Sequence, residues 1–231
     1  MSSRQEEKEA RRRERMEQEE RERKAASRSK RLQYVIGGIL AVGIVAAVVV
    51  ALLSSTGGDS EDGPSSANSS ATLPEPNILI EDEAAAAANC EVTQVPNEGS
   101  AHEERDFAIA DYKSNPPTSG THTESAAAAD GIYKQGAPPL GETVHSLEHG
   151  RINVQYKPGT PAEFVDQLEA FASEKQGYHL LMYENATGME PQLAATAWDF
   201  KLTCDETGPE VFDALRTFYD AHLDKAPEKV R

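Results

Sequence analysis

Within "VHSLEHG", residues 144–150, a chain holding only six histidines places His145 and His149 four apart with Glu148 between them. Imidazole is neutral near pH 7 and is the commonest transition-metal ligand, suiting zinc, copper, iron and nickel. Residues four apart share one face of a helical turn, so the two rings converge on one ion if the stretch is helical. Prolines before it and Gly150 after it allow only a short helix, Glu142 to about His149. His122, closing "PPTSGTH" (116–122), supplies a third ligand from a turn whose Pro116 and Pro117 hold the backbone in advance. Three histidines leave a coordination position open, and His102 would close it.

Two other readings stand beside this one. "HSLEH" fits H-x-x-E-H, the inverted zinc-protease motif, in which Glu148 would be a general base. That motif needs two full turns of helix and a distant glutamate ligand, whereas Gly150 cuts this helix short. A hydrolase is therefore the third choice, and a non-catalytic role is expected. The other reading is structural: His145 and His149 bond backbone carbonyls, Glu148 pairs with Arg151 or caps a turn, and "PPTSG" is a rigid corner. His179 is expected on a strand facing solvent, and His222 at a helix C-terminus where its charge is favourable.

The elements that must carry these residues differ between the two halves of the candidate domain. From Cys90 to Gly150, "NPPTSG", "AAAADG" and "GAPPLG" are turn clusters, so this half is loop-rich. "RINVQY" alternates Ile152, Val154 and Tyr156 with polar residues, as a half-buried strand does. "TPAEFVDQLEAFASEKQG" opens with a capping box, Thr160 and Glu163 about Pro161; Phe164, Leu168, Phe171 and Ala172 form its apolar stripe. Gly177 ends that helix. "YHLLMY" (178–183) reads as a buried strand, and "ATAWDFKLTC" as one strand with Thr196, Trp198, Phe200, Leu202 and Cys204 on one face. Thr207 and Glu210 box a second helix striped by Val211, Phe212, Leu215, Phe218 and Tyr219. The order β-α-β-β-α predicts an α+β domain: a small mixed sheet with helices packed on it, following the loop-rich half.

Upstream, "YVIGGILAVGIVAAVVVALL" (34–53) runs 20 residues without a charge. At about 1.5 Å per residue it spans roughly 30 Å, the thickness of a bilayer core, and predicts one transmembrane helix. Residues 1–33 carry 12 Lys/Arg against 8 Glu, which leaves 11 basic and 31 acidic residues in the remainder. Basic flanks stay inside, so the N-terminal tail (1–33) is expected in the cytoplasm and the acidic bulk outside the cell membrane. The run is longer than a signal peptide's apolar region and lacks an A-x-A exit, which favours an anchor over a cleaved leader. The glutamates of the tail weaken any basic patch, so no nucleic-acid partner is expected. Ser/Gly/Pro-rich and Ala-rich sequence over 54–88 reads as a tether, and 89–231 as the folded domain. In an oxidising compartment Cys90 and Cys204, the only two cysteines, are expected to pair. No C-x-x-C points to a catalytic dithiol.

"NPPTSGTH" (115–122), "GIY" (131–133), "VHSLEHGRINVQY" (144–156), "TAW" (196–198) and "APE" (226–228) together resemble a bacterial domain-of-unknown-function family of single-pass membrane proteins. Members share this layout of short tail, one membrane helix, tether and domain, and the similarity covers about Asn89 to Glu228. The family's recurring positions fall here on His102, Pro116, Pro117, Gly120, His122, His145, Glu148, His149 and Gly150. "ENATGME" (184–190) departs from the Pro-containing turn that the resemblance implies after "HLLMY". The resemblance implies no activity, because none is assigned to the family. The reading that follows is a membrane-anchored extracytoplasmic domain binding copper or zinc through a histidine cluster. The alternative is a metal-free accessory module docking on an envelope protein. Oligomeric state stays open.

Overall fold

Short β-branched and apolar runs bounded by turns build six strands: β1 Cys90–Gln94, β2 Gly131–Tyr133, β3 Ile152–Tyr156, β4 Leu180–Glu184, β5 Leu193–Ala197 and β6 Phe200–Cys204. Among the described residues four α-helices accompany them: α1 Glu81–Ala87, α2 Leu140–Glu148, α3 Ala162–Glu174 and α4 Val211–His222. The computed structural model describes residues 64–66 and 69–228. Among these, no helix is long and apolar enough to cross a membrane. The expected tail (1–33), membrane segment (34–53) and first part of the tether lie outside the described residues.

All six strands form one mixed sheet in the order β1-β6-β5-β3-β4-β2. β3, β4 and β2 run parallel, while β5 is antiparallel to β3 and β6, and β1 antiparallel to β6. The α+β expectation therefore holds as a mixed sheet with packed helices. Alternation along the strands feeds two cores. Ile152, Val154, Leu180, Met182 and Leu202 pack with Phe164, Leu168 and Phe171 of α3 and Phe212, Leu215 and Phe218 of α4. Leu181 and Tyr183 pack with Ala128 in a separate cluster. Val144 and Leu147 of α2 meet Tyr112 and Trp198 in another. Burying each such side chain stabilises the fold by about 1.5–3 kcal/mol before conformational entropy is charged against it.

Cys90 and Cys204 stand directly opposite in the β1–β6 register and are joined by a disulfide. The bridge locks an edge strand from the start of the domain to the strand before its last helix.

Several local expectations are corrected. "ATAWDFKLTC" is not one strand but a hairpin: Ala197 pairs with Phe200, and Trp198–Asp199 make the two-residue turn, with Asp199 left-handed at φ 64°. Asp199 is held there because its N–H donates to Thr118 and its carbonyl accepts from Val95. Neither capping box forms. The Thr160 hydroxyl turns back to the Lys157 carbonyl at 2.7 Å, and both α3 and α4 start without a side-chain cap. β3 is buried on both faces: the Asn153 amide donates to Thr143 O (2.9 Å) and accepts from the Ser146 hydroxyl (3.1 Å), both on α2.

His179 is buried rather than solvent-facing. It precedes β4 and places Nδ1 2.7 Å from Asp224 Oδ1. His222 is buried against Phe200 and Phe218, 2.9 Å from Glu81. The part of the expected tether from Ser69 to Ala88 lies against the domain. Ser69 bonds Ser173 and Asp166, Arg216 donates to Pro74 O, and α1 buries Ala84 and Ala85. The packed body thus begins before Asn89, because small alanines can lie flat on α4 and β1 where the sequence shows no apolar rhythm.

Candidate metal centre

The loop-rich half packs over α2. Pro138 and Pro139 lead into this helix, and Gly141 lets the 104–107 segment pass close by: a Cβ there would lie 2.6 Å from the Phe107 ring. Two extended segments run alongside. The Glu103 N–H donates to His122 O (2.9 Å) and the His122 N–H to Ala101 O (3.0 Å), a short parallel bridge that sets His102 beside His122. The Glu104 carboxylate clamps the same segments, accepting from the Ser125 hydroxyl and N–H, the Thr123 hydroxyl and the Glu124 N–H. These bonds, Ser125's foremost, hold its pKa below the ordinary glutamate value.

Side chains from three places in the sequence therefore meet. His102, His122, His145 and Glu148 each offer a ligand atom, and all four atoms lie within 4.8 Å of one another. His122 is fully buried, His145 and Glu148 nearly so, and His102 forms the exposed wall. Ring centroids are 4.6 Å apart for His102–His122, 5.0 Å for His122–His145 and 5.4 Å for His102–His145. A tetrahedral ion with ligands near 2.1 Å sets ligand atoms about 3.4 Å apart, so this group needs only a modest contraction to enclose one.

Tautomers follow from the carbonyls behind the rings. His122 Nδ1 sits 2.8 Å from Gly120 O and His145 Nδ1 3.2 Å from Ala126 O. A carbonyl only accepts, so each Nδ1 carries the proton and each Nε2 lone pair is left for the cluster. Backbone carbonyls holding the far nitrogen are the usual outer shell of a metal-ligating histidine. Glu148 Oε2 then lies 2.9 Å from His122 Nε2 and 3.2 Å from His102 Nε2. A carboxylate facing an imidazole lone pair at that distance requires a positive charge between or upon them, a proton or a cation. Burial, then the neighbouring His149 and His122, push the His145 pKa down, which keeps that ring neutral and able to ligate.

Of the four histidines singled out in the sequence, three point into this group and His149 does not. It caps the C-terminus of α2, and its Nε2 faces Glu228 Oε2 at 3.3 Å. Glu148 takes that place. Residues three and four apart share a helix face equally well, so sequence spacing could not choose between them. The helix ends at Glu148, which leaves H-x-x-E-H without the continued helix that a zinc-protease arrangement requires. Glu148 does not pair with Arg151 either; Arg151 binds Asp130 at 2.6 Å. Pro116 and Pro117 are buried. Gly120 (φ 117°) and Gly150 (φ 84°) take left-handed conformations in tight spaces, one against the Tyr112 ring and the other against the Asp224 backbone.

Residues 102–231 match a family model described as "Protein of unknown function (DUF3105)". No curated protein and no solved structure matches the chain.

Proposed function

The chain belongs to the DUF3105 family, and from the geometry of its buried cluster we propose that it binds one divalent transition-metal ion, zinc or copper, on His102, His122, His145 and Glu148. The observation that carries this reading is the pair of imidazoles pinned by backbone carbonyls through Nδ1, with His122 Nε2 against the buried Glu148 carboxylate and His145 in the same group of ligand atoms. Three nitrogens and one oxygen suit zinc in a four-coordinate site and are also compatible with copper(II). The role is binding or accessory rather than hydrolytic, since four protein donors leave no open position for water.

The site belongs, in this proposal, to a single-pass protein anchored by residues 34–53, with residues 1–33 in the cytoplasm and the domain outside the cell membrane. The uncharged 20-residue run and the basic residues before it support this. The Cys90–Cys204 disulfide is in keeping with an oxidising compartment.

A metal-free interaction module in the cell envelope is the second reading. It is favoured by one observation: a single proton on His122 or His102 would turn their contacts with Glu148 into ordinary ion pairs.

Metal analysis of protein produced with zinc and copper in excess separates the two. About one equivalent of metal, lost in His122→Ala/His145→Ala, is the expected result; metal-free wild-type protein leaves the second reading. A reporter joined after Arg231 is expected to work only outside the cytoplasm, and cytoplasmic activity would overturn the topology.

A further inference from the structure

A second site lies at the other end of α2. Strand β2 leads through α2 past β4 to β3, and β3 leads back through α3 to β4, so the connections reverse direction over this pair of parallel strands. α3 joins the core on one sheet face, whereas α2 packs in a separate cluster with Tyr112 and Trp198. Beyond the carboxyl ends of parallel strands, at such a reversal, α/β sheets leave a crevice in which ligands bind.

The crevice is present: a cavity of about 350 Å³ bordered by Gln155 at the end of β3, Tyr183 at the end of β4, Leu140, Phe107, Ile109 and Thr187. No Asp, Glu, Lys, Arg or His lines it, in a chain with a net charge of −16. Its size is at the small end of ligand pockets. One polar group in it lacks a partner. Gln155 is 3 % exposed, and its Oε1 accepts from Asn185 Nδ2 at 2.8 Å. Its amide N–H groups have no acceptor among the described residues and are not sealed away in the core, which leaves them open to a molecule in the cavity.

We infer that this cavity binds a small uncharged molecule, planar and largely apolar, whose carbonyl or ether oxygen accepts a hydrogen bond from the Gln155 amide. Charged ligands are excluded because the lining offers them no counter-charge. Phe107, Ile109, Leu140 and the Tyr183 ring supply the apolar walls, and Gln155 fixes orientation. The site shares no residue with the metal cluster and does not depend on it.

The test uses the full chain in detergent and ¹⁹F NMR with 4-fluoroacetophenone, an uncharged ring carrying one carbonyl. Saturable broadening is expected, and it should vanish in Ala186→Trp, which fills the exposed rim of the cavity; measuring both proteins in the same micelles cancels partitioning. Ala108→Trp, at another exposed rim position, repeats the test should the first variant melt lower than wild type. Gln155→Met is expected to weaken 4-fluoroacetophenone at least tenfold and to leave 4-fluorotoluene, which lacks an acceptor, within about twofold. Broadening indifferent to both rim substitutions, or absent from wild type, overturns the site. Equal weakening of both probes by Gln155→Met overturns the role of the amide.

Discussion

His122 places Nε2 2.9 Å from Glu148 Oε2 while its other ring nitrogen is held by Gly120 O. Sequence separates the two residues by 26 positions, yet they form the least exposed contact of the cluster. If the positive charge between them is a metal ion, replacing Glu148→Gln removes the anionic donor while preserving shape. Affinity for zinc or copper, measured by competition with a chromophoric chelator, is expected to fall at least tenfold. His149→Ala is expected to change it less than about threefold, since that ring faces Glu228. A larger loss in His149→Ala than in Glu148→Gln would mean that His149, not Glu148, completes the site.

Gly120 is a structural support of the same centre. Its φ of 117° is a left-handed conformation, and an added Cβ would lie 3.0 Å from the Tyr112 ring. Gly120→Ala should cost about 1–3 kcal/mol through strain and displacement of the carbonyl that orients His122. Gly159 shares the positive φ, at 86°, but has nothing within 4 Å of its Cβ position. Thermal melting should therefore show a larger drop for Gly120→Ala than for Gly159→Ala. The former should also lose metal affinity, and the latter should keep it.

Reduction or Cys90→Ser/Cys204→Ser removes a bridge that closes a loop of 114 residues. The expected loss is about 2–5 kcal/mol, read as a lower urea midpoint. An unchanged midpoint would show that the β1–β6 ladder holds the edge strand without help.

Acid should weaken the fold through its buried histidines. Burial lowers the pKa of His222, an effect the nearby Glu81 opposes without reversing, and burial likewise lowers those of His145 and His149. The unfolded chain takes up protons near its ordinary histidine pKa, about 6.5, before the folded chain does. Stability of the metal-free protein is thus full above that pH and declines as pH falls below it. Urea midpoints at pH 7.5 and pH 5 should differ in that sense, and His222→Gln should reduce the difference. A midpoint that rises on acidification contradicts the assignment.

Much of the scaffold was legible from local pattern. Period-2 alternation in "RINVQY" and the stripe Phe164–Leu168–Phe171 announce their elements, because burial of one face is a local property of side-chain spacing. The Trp198–Asp199 turn was not legible. Its left-handed Asp199 is held by Thr118 and Val95, partners 81 and 104 positions away in sequence, and beside Trp198 a single Asp is a weak turn signal. Asn153 looked solvent-facing for a similar reason: its burial is made tolerable only by Thr143 and Ser146 on α2.

The candidate site divides in the same way. The sequence by itself determined which residue types were at hand: imidazoles concentrated near two proline-rich turns, and a carboxylate beside two of them. Only the tertiary structure decided that Glu148 and not His149 faces His102 and His122, and which ring nitrogen each backbone carbonyl holds. Side chains at i+3 and i+4 leave a helix on the same face. The choice between them rests on what packs against that face, here the His102–His122 bridge on one side and Glu228 on the other.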